Sequence, residues 1–291
     1  MCAGIIFRLA KTLPADAHKG INAWVIYLAL PAVSFKYLPS IQWSSDLLLP
    51  LVSPIVVWLG AWCWIHLYVR KSGLDKASEG GLKLVAGLSN TSFLGFPLVT
   101  AYFGEANLGI AVICDQVTFT LLSTAGLLVA INSSQKHELS VGLIVKKVVQ
   151  FPPFLGCVGA LVIPHFVDLT VLSPLFDRLA STVGPLALFS IGLQLHLKGW
   201  KSQIRPVSIA LFYKLLIAPT LVALLFMALG MKGTTAQVTL FEAAMPTLVS
   251  SGIVAEHYHL NPDLANLVIG VGIVLSFSTT FLWWLVIKGW F

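Results

Sequence analysis

Charged residues are scarce in this chain: Asp, Glu, Lys and Arg make up 10% of its 291 residues, whereas a soluble domain carries about 25%. Hydrophobic residues make up 57% instead. Apolar runs long enough to cross a hydrocarbon core of about 30 Å recur along the whole sequence. The composition therefore excludes a soluble domain and indicates an all-α integral membrane protein, embedded in a lipid bilayer as a single domain.

The sequence also lacks the short motifs of catalysis. It contains no Walker loop, no nucleophile elbow and no HExxH pair, so neither an ATP-driven pump nor a membrane hydrolase is indicated. The four cysteines show no metal-ligand spacing and are interpreted as free thiols. His257 and His259 lie near acidic residues without a third placed ligand. We predict no enzyme activity, no cofactor and no metal site.

Nine full membrane-spanning helices are predicted, with short loops between them. Their ranges are 22–38, 47–69, 82–103, 107–131, 145–166, 178–197, 206–230, 235–257 and 264–287. Thirteen Lys and Arg residues lie in one set of alternate loops and four in the other set. Because positive loops face the cytoplasm, the first set is predicted to be cytoplasmic and the C-terminus to be outside. The net charge of +6 is thus a topology signal, and no nucleic-acid partner is indicated.

The order of the spans suggests an internal repeat. The span around Pro31 resembles the span around Pro185, and each is followed by an ordinary span, a broken span and a final span. Residues 1–131 and 132–291 then form two five-helix repeats of opposite orientation, which is typical of alternating-access carriers. Residues 1–7 are too short to span a bilayer, so they are interpreted as the end of a first helix whose beginning is absent.

Two predicted spans are interrupted at prolines, one at Pro97 and one at Pro246. Proline removes a backbone N–H and frees the carbonyl one turn earlier, which exposes polar backbone at membrane depth. A corresponding pair of such breaks points to the binding site of a transporter. The predicted substrate-binding residues at these breaks are Asn90, Thr91, Gly95, Pro97, Met245 and Pro246. The small polar residues among them could instead hold helices together.

Three ionisable residues lie well inside predicted spans: Asp115, Lys214 and Glu242. A charge near the bilayer centre costs at least about 2.5–3.5 kcal/mol, so such residues usually face the protein interior and mark a pathway. We interpret the three as candidates for coupling transport to protons or sodium. The structural alternative is that a carboxylate pairs with Lys214 or caps freed backbone N–H groups at a break.

Several segments together resemble the auxin efflux carrier family of membrane transport proteins. Asn90–Pro97 is similar to its GNTGFLGLP-type segment, Lys214–Pro219 to its L-x-x-P span, and Glu242–Pro246 with Ile253–Pro262 to its EAAMP…AExYxLNP stretch. The segment from Asn22 to Pro31 also fits. The resemblance implies a ten-helix fold of two inverted repeats, with broken fourth and ninth helices that cross. It further implies an elevator motion and small organic anions as substrates: auxin in plants, malate or malonate in some bacterial members.

The leading hypothesis is therefore a secondary active transporter, or permease, of small organic anions such as dicarboxylates or auxin-like carboxylates. One alternative is a sodium-coupled symporter of the related bile-acid carrier type, with Glu242 at a sodium site. Another alternative is a non-transporting receptor or a channel-like relative. The short loops favour a multi-pass protein of a cell membrane, such as a bacterial inner membrane. A homodimer is compatible with an elevator motion.

Overall fold

The computed structural model describes residues 1–14, 16–41, 44–134, 150–194 and 203–290. Within these ranges the regular structure is helical, which confirms the all-α class. The helices are α1 (Cys2–Leu9), α2 (Ala17–Ser40), α3 (Ser45–Ser72), α4 (Lys76–Gly87), α5 (Thr91–Phe103), α6 (Glu105–Ser133), α7 (Pro152–His165), α8 (Ser173–Ser181), α9 (Val183–Gln194), α10 (Ile204–Ala228), α11 (Thr234–Ala243), α12 (Val249–His257) and α13 (Pro262–Trp290).

Five of these helices are long and apolar enough to cross a membrane, namely α2, α3, α6, α10 and α13. The remaining predicted spans correspond to the shorter helix α7 and to the pairs α4–α5, α8–α9 and α11–α12. The start of predicted span 145–166 and the end of span 178–197 lie outside the described residues. The count of nine full spans stays a prediction.

The helices pack as two groups. The smaller group consists of α1, α2, α7, α8 and α9, and the larger group consists of α3 to α6 and α10 to α13. In the smaller group α1 lies against α9 at Gly4 and Gly192, where a Cβ on either glycine would overlap backbone of the other helix. In the larger group the Tyr213 hydroxyl donates to the Val57 carbonyl at 2.7 Å, which joins α10 to α3. The two groups meet where α9 packs on α5 and α2 packs on α6.

The first helix break lies at Leu88–Asn90 and not at Pro97, so the predicted position was wrong. Helix α4 ends at Gly87, and α5 starts with the π-helical turn Thr91–Gly95. In that turn the Gly95 N–H donates to the Asn90 carbonyl at 2.9 Å. Because the π turn shifts hydrogen bonding to residues five apart, it accommodates the missing N–H of Pro97 inside α5. The second break contains Pro246, as predicted, between α11 and α12.

Candidate functional site

The two breaks cross inside the larger group and satisfy each other's backbone. The Asn90 N–H donates to the Pro246 carbonyl at 2.8 Å, and the Leu248 N–H donates to the Leu88 carbonyl at 2.9 Å. An unpaired backbone group in a water-free interior costs several kcal/mol. The crossing is therefore a short antiparallel pairing that supplies the hydrogen bonds lost where both helices stop.

Lys214 joins this crossing from α10. Its side chain is completely buried, and its Nζ donates to the Ser89 hydroxyl at 2.8 Å and to the Ala243 carbonyl at 3.0 Å. Ser89 belongs to the first break, and Ala243 is the last residue of α11, directly before the second. One ammonium group therefore binds both breaks. The alternative in which Lys214 pairs with a carboxylate is not observed among the ion pairs of the described residues.

Asp115 approaches the crossing from α6. Its carboxylate accepts a hydrogen bond from the Thr91 hydroxyl at 2.6 Å, and both residues are buried. Thr91 is the first residue of α5. Asp115 is thus hydrogen-bonded to the start of α5, the second half of the first broken helix, although Asp115 and Thr91 are 24 residues apart in the chain.

Glu242 lies near the end of α11 and is 1% exposed. Neither of its carboxylate oxygens has a hydrogen-bond partner within the described ranges, and the same holds for the amide nitrogen of Asn90. Gly95 lies against this carboxylate, since a Cβ added to it would be 2.5 Å from Glu242 Oε2. Buried polar atoms are nearly always paired in folded proteins. Glu242 and Asn90 are therefore among the polar groups of the crossing that are open to an ion or a substrate, as is the second carboxylate oxygen of Asp115.

The structure brings the predicted site residues together, but it buries most of them. Asn90, Thr91 and Met245 are each at most 1% exposed. Pro97 differs from them, because it lines a cavity of about 300 Å³ between α2, α5 and the α8–α9 region. In this conformation the crossing is thus closed to solvent, and access to it requires a rearrangement of the surrounding helices.

A second cavity of about 630 Å³ lies between α2, α9, α12 and α13, at the other end of α2. Polar side chains from both groups line it, including Asn22, Gln194, Glu256 and Asn266. The sequence analysis did not select these residues as a site. In the sequence, Asn22 and Gln194 stand out only as amides within or beside apolar runs. An amide in such a run can line a cavity or hold two helices together, and the sequence alone does not distinguish these roles.

Polar contacts join the two groups beside the smaller cavity. Lys36 on α2 forms an ion pair with Glu105 at 2.6 Å and another with Asp177 of α8 at 3.0 Å. The Tyr37 hydroxyl donates to the same Glu105 carboxylate. Since Glu105 starts α6 in the larger group, these contacts hold the two groups together at that end of α2.

The comparisons with known proteins agree with this architecture. The sequence matches the family described as "Membrane transport protein" over residues 1–152 and 144–284. The chain belongs to this family. It is the auxin efflux carrier family that the sequence segments resemble, and the chain is therefore a membrane transport protein with several membrane-spanning helices.

Its relatives carry transporter names. A protein of Methanothermobacter thermautotrophicus named "uncharacterized transporter" is 27% identical over 96% of this chain and 92% of the relative. A "putative malonate transporter" of Rhizobium meliloti is 26% identical over 91% of this chain and 86% of the relative. A "probable auxin efflux carrier component 9" of Oryza sativa subsp. japonica is 27% identical over 53% of this chain and 38% of the relative.

Proposed function

We propose that this membrane transport protein is a secondary active transporter of small organic anions, such as dicarboxylates or auxin-like carboxylates. The observation that carries the proposal is the crossing of two broken helices, with Asp115, Lys214 and Glu242 buried around it. Intramembrane ionisable groups at a pair of broken helices are the usual binding and coupling elements of carriers. The names of the relatives, one of them a malonate transporter, support the same class of substrate.

Substrate is proposed to bind at the crossing. Helices α5 and α12 both begin there, at Thr91 and Val249, and helix N-termini favour an anionic group through their free N–H groups and positive dipole end. Asn90 would add a donor, because its amide nitrogen has no partner among the described residues. Gly95, Pro97, Met245 and Pro246 would shape the site rather than donate to the substrate.

Alternating access is proposed to occur as an elevator motion of the larger group against the smaller one. The cavities at opposite ends of α2 both lie between the groups, so a displacement of one group can widen one cavity and narrow the other. Under this proposal, the inverted repeats are residues 1–131 and 132–291. Because the repeats share one fold, the outward-facing and inward-facing arrangements would have similar packing. The cytoplasmic placement of the basic loops, an outside C-terminus and a homodimer remain part of this proposal.

Asp115 and Glu242 are proposed to carry the coupling ion, and protons are the first candidate. Sodium is the alternative that a specific observation favours, because both oxygens of Glu242 are buried without a partner in the described part of the chain. Hard cations prefer oxygen ligands, and carriers commonly complete such sites with backbone carbonyls of broken helices.

Uptake by proteoliposomes tests the proposal. Labelled malonate, malate and indole-3-acetate would be offered under an imposed pH gradient, a sodium gradient or neither. We expect saturable uptake driven by one gradient, loss of saturable uptake in Asn90→Ala and loss of gradient dependence in Glu242→Gln. Asp263→Asn, at an exposed carboxylate, is the matched control and should behave like the wild type. A folded, inserted wild-type protein without saturable uptake of any of the three would contradict the proposal.

A further inference from the structure

A groove of about 430 Å³ runs between α10 and α13 on the outside of the larger group. The helices approach closely at Gly272, where an added Cβ would be 2.8 Å from Leu211 Cδ2. Further along both helices, the Trp283 indole N–H donates to the Leu215 carbonyl at 2.9 Å. Pro219, four positions after Leu215, has no N–H to donate to that carbonyl. The two helices therefore run in the same direction here, and two contacts fix their packing along the groove.

The groove has a buried floor and exposed rims, and most of its lining is apolar. On the floor, Val207, Leu211 and Leu215 are each at most 5% exposed. On the rims, Phe212 of α10 is 51% exposed and Leu275 of α13 is 46% exposed. Because both helices are long and apolar enough to span the membrane, such rims face acyl chains, which are as apolar as leucine. The material that fills this groove in a bilayer is hydrocarbon.

The length of the groove matches one leaflet of a bilayer. On α10 the lining extends from Ile204, the first turn of the helix, to Leu216, which is about 18 Å at about 1.5 Å per residue. One leaflet contributes half of a hydrocarbon core about 30 Å thick, or about 15 Å. One acyl chain of a phospholipid whose headgroup lies at the start of α10 would therefore cover the groove from end to end.

Polar groups lie at the start of α10, where that headgroup would be. Arg205 is exposed and lies three residues before Ser208, which lines the groove. Residues three apart are neighbours on the surface of a helix. Neither side chain forms a hydrogen bond or ion pair with another described residue. A guanidinium group matches the geometry of a phosphate, and a hydroxyl can donate to a phosphate or ester oxygen. The charge of Arg205 is thus complementary to an anionic headgroup.

We propose that the groove between α10 and α13 binds one anionic phospholipid, with an acyl chain between the two helices and the phosphate at Arg205. Ser208 donates to the phosphate or to the adjacent ester. The basic loops are predicted to face the cytoplasm, so the lipid belongs to the leaflet in which anionic lipids attract basic residues. Since α10 also supplies Lys214 to the crossing, the lipid binds to the group that contains the candidate site. The inference does not depend on which anion is transported.

Photolabelling locates the bound lipid. The probe is phosphatidylglycerol with a diazirine in the middle of one acyl chain, mixed into phosphatidylcholine vesicles that contain the full chain. After irradiation, peptide mass spectrometry should find label concentrated at the rims, near Phe212 and Leu275, and unlabelled phosphatidylglycerol should compete. Leu275→Trp fills the groove and should lower this labelling severalfold. Leu224→Trp, at an exposed leucine of α10 outside the groove, is the matched control. Label spread evenly over the exposed faces of α10 and α13 would overturn the proposal.

Headgroup selectivity tests the role of Arg205. A basic residue at the surface of a membrane favours an anionic lipid by about fivefold, so phosphatidylglycerol should label the groove about fivefold more than a phosphatidylcholine carrying the same diazirine chain. Arg205→Gln should abolish this preference. Arg70→Gln, at an exposed arginine near the end of α3, should keep it. Equal labelling of the wild type by both lipids, or an unchanged preference in Arg205→Gln, would refute the placement of the phosphate.

Two controls exclude other occupants of the groove. Glycerol 3-phosphate carries the phosphate without acyl chains and should leave the labelling unchanged; competition as strong as that of phosphatidylglycerol would refute binding through the chain. A second copy of the protein seated on the groove would be displaced by Leu275→Trp. Light scattering of the purified protein in detergent should therefore give the same oligomeric state for wild type and Leu275→Trp, and a loss of subunits in the variant would identify a protein interface instead of a lipid site.

Discussion

Replacing Lys214 by methionine should destabilise the protein at the place where its two broken helices meet. Methionine has nearly the length of lysine but no donor, so the Ser89 hydroxyl and the Ala243 carbonyl would each lose a hydrogen bond from the ammonium group. Leaving a buried acceptor unpaired costs about 1–3 kcal/mol. Two such losses give about 2–6 kcal/mol before any compensation.

Compensation arises because a fully buried ammonium is itself unfavourable. Its removal from the interior recovers part of the desolvation free energy that burial of the charge requires. We therefore expect a net destabilisation near the lower half of that range, about 2–4 kcal/mol. At about 2–4 °C per kcal/mol, the apparent melting temperature should fall by roughly 4–16 °C.

Thermal unfolding of the purified protein in detergent, followed by the loss of the monodisperse species, measures this shift. Lys232→Met is the matched control, since Lys232 is exposed in the loop before α11 and surface changes usually stay within about 0.5 kcal/mol. Anion uptake should be lost in Lys214→Met and kept in the control. A Lys214→Met protein that melts at the wild-type temperature would refute the inference that this ammonium holds the crossing together.

Three further changes have distinct expected outcomes. Gly95→Ala should lower both stability, by about 1–3 kcal/mol, and uptake, because the new Cβ meets the Glu242 carboxylate; unchanged thermal unfolding would contradict this close approach. Glu105→Gln removes the negative charge that pairs with Lys36 and should increase the hydrogen exchange of backbone amides around the smaller cavity. Exchange equal to that of the wild type would contradict the inference that the ion pair holds the groups together. Asp75→Ala removes the helix cap of α4 and should cost about 1 kcal/mol at pH 7. The hydrogen bonds from Ser78 lower the pKa of Asp75 below its usual 3.8, so the cap contribution is complete above that value and disappears as the pH falls through the folded-state pKa. Melting curves of both proteins should converge as the pH falls below the folded-state pKa of Asp75, and a constant difference would exclude the charged cap.

The sequence was sufficient for the all-α class and the long apolar helices because the membrane imposes simple constraints. Long apolar runs predicted α2, α3, α6, α10 and α13, since a helix is the element that satisfies its own backbone in lipid. The second break was also predicted correctly from Pro246. The first break was misplaced, because the π turn of Thr91–Gly95 accommodates Pro97 within a helix. A hydrogen-bond shift of this kind leaves no distinct composition in the sequence.

The sequence selected the residues of the candidate site but did not predict their contacts. Asp115, Lys214 and Glu242 were selected because burial of an ionisable group in a membrane requires a reason. The partners of Lys214 turned out to be a hydroxyl and a backbone carbonyl, and Ser89 lies 125 residues away in the chain. Such pairings depend on how whole helices pack.

The distribution of hydrogen bonds bears on which parts could move together. The bonds of the crossing, from Asn90 to Pro246 and from Lys214 to Ser89, lie inside the larger group. The bond from Ser190 to Asn22 lies inside the smaller group. A displacement of one group against the other would keep these buried bonds, and it would break the ion pair of Lys36 with Glu105, whose carboxylate is largely exposed. Exposed ion pairs contribute about 0–1 kcal/mol, whereas each buried bond left unpaired costs about 1–3 kcal/mol. Counted in hydrogen bonds, a rigid-body motion of the larger group therefore costs less than an opening of the crossing itself, as the proposed elevator motion requires.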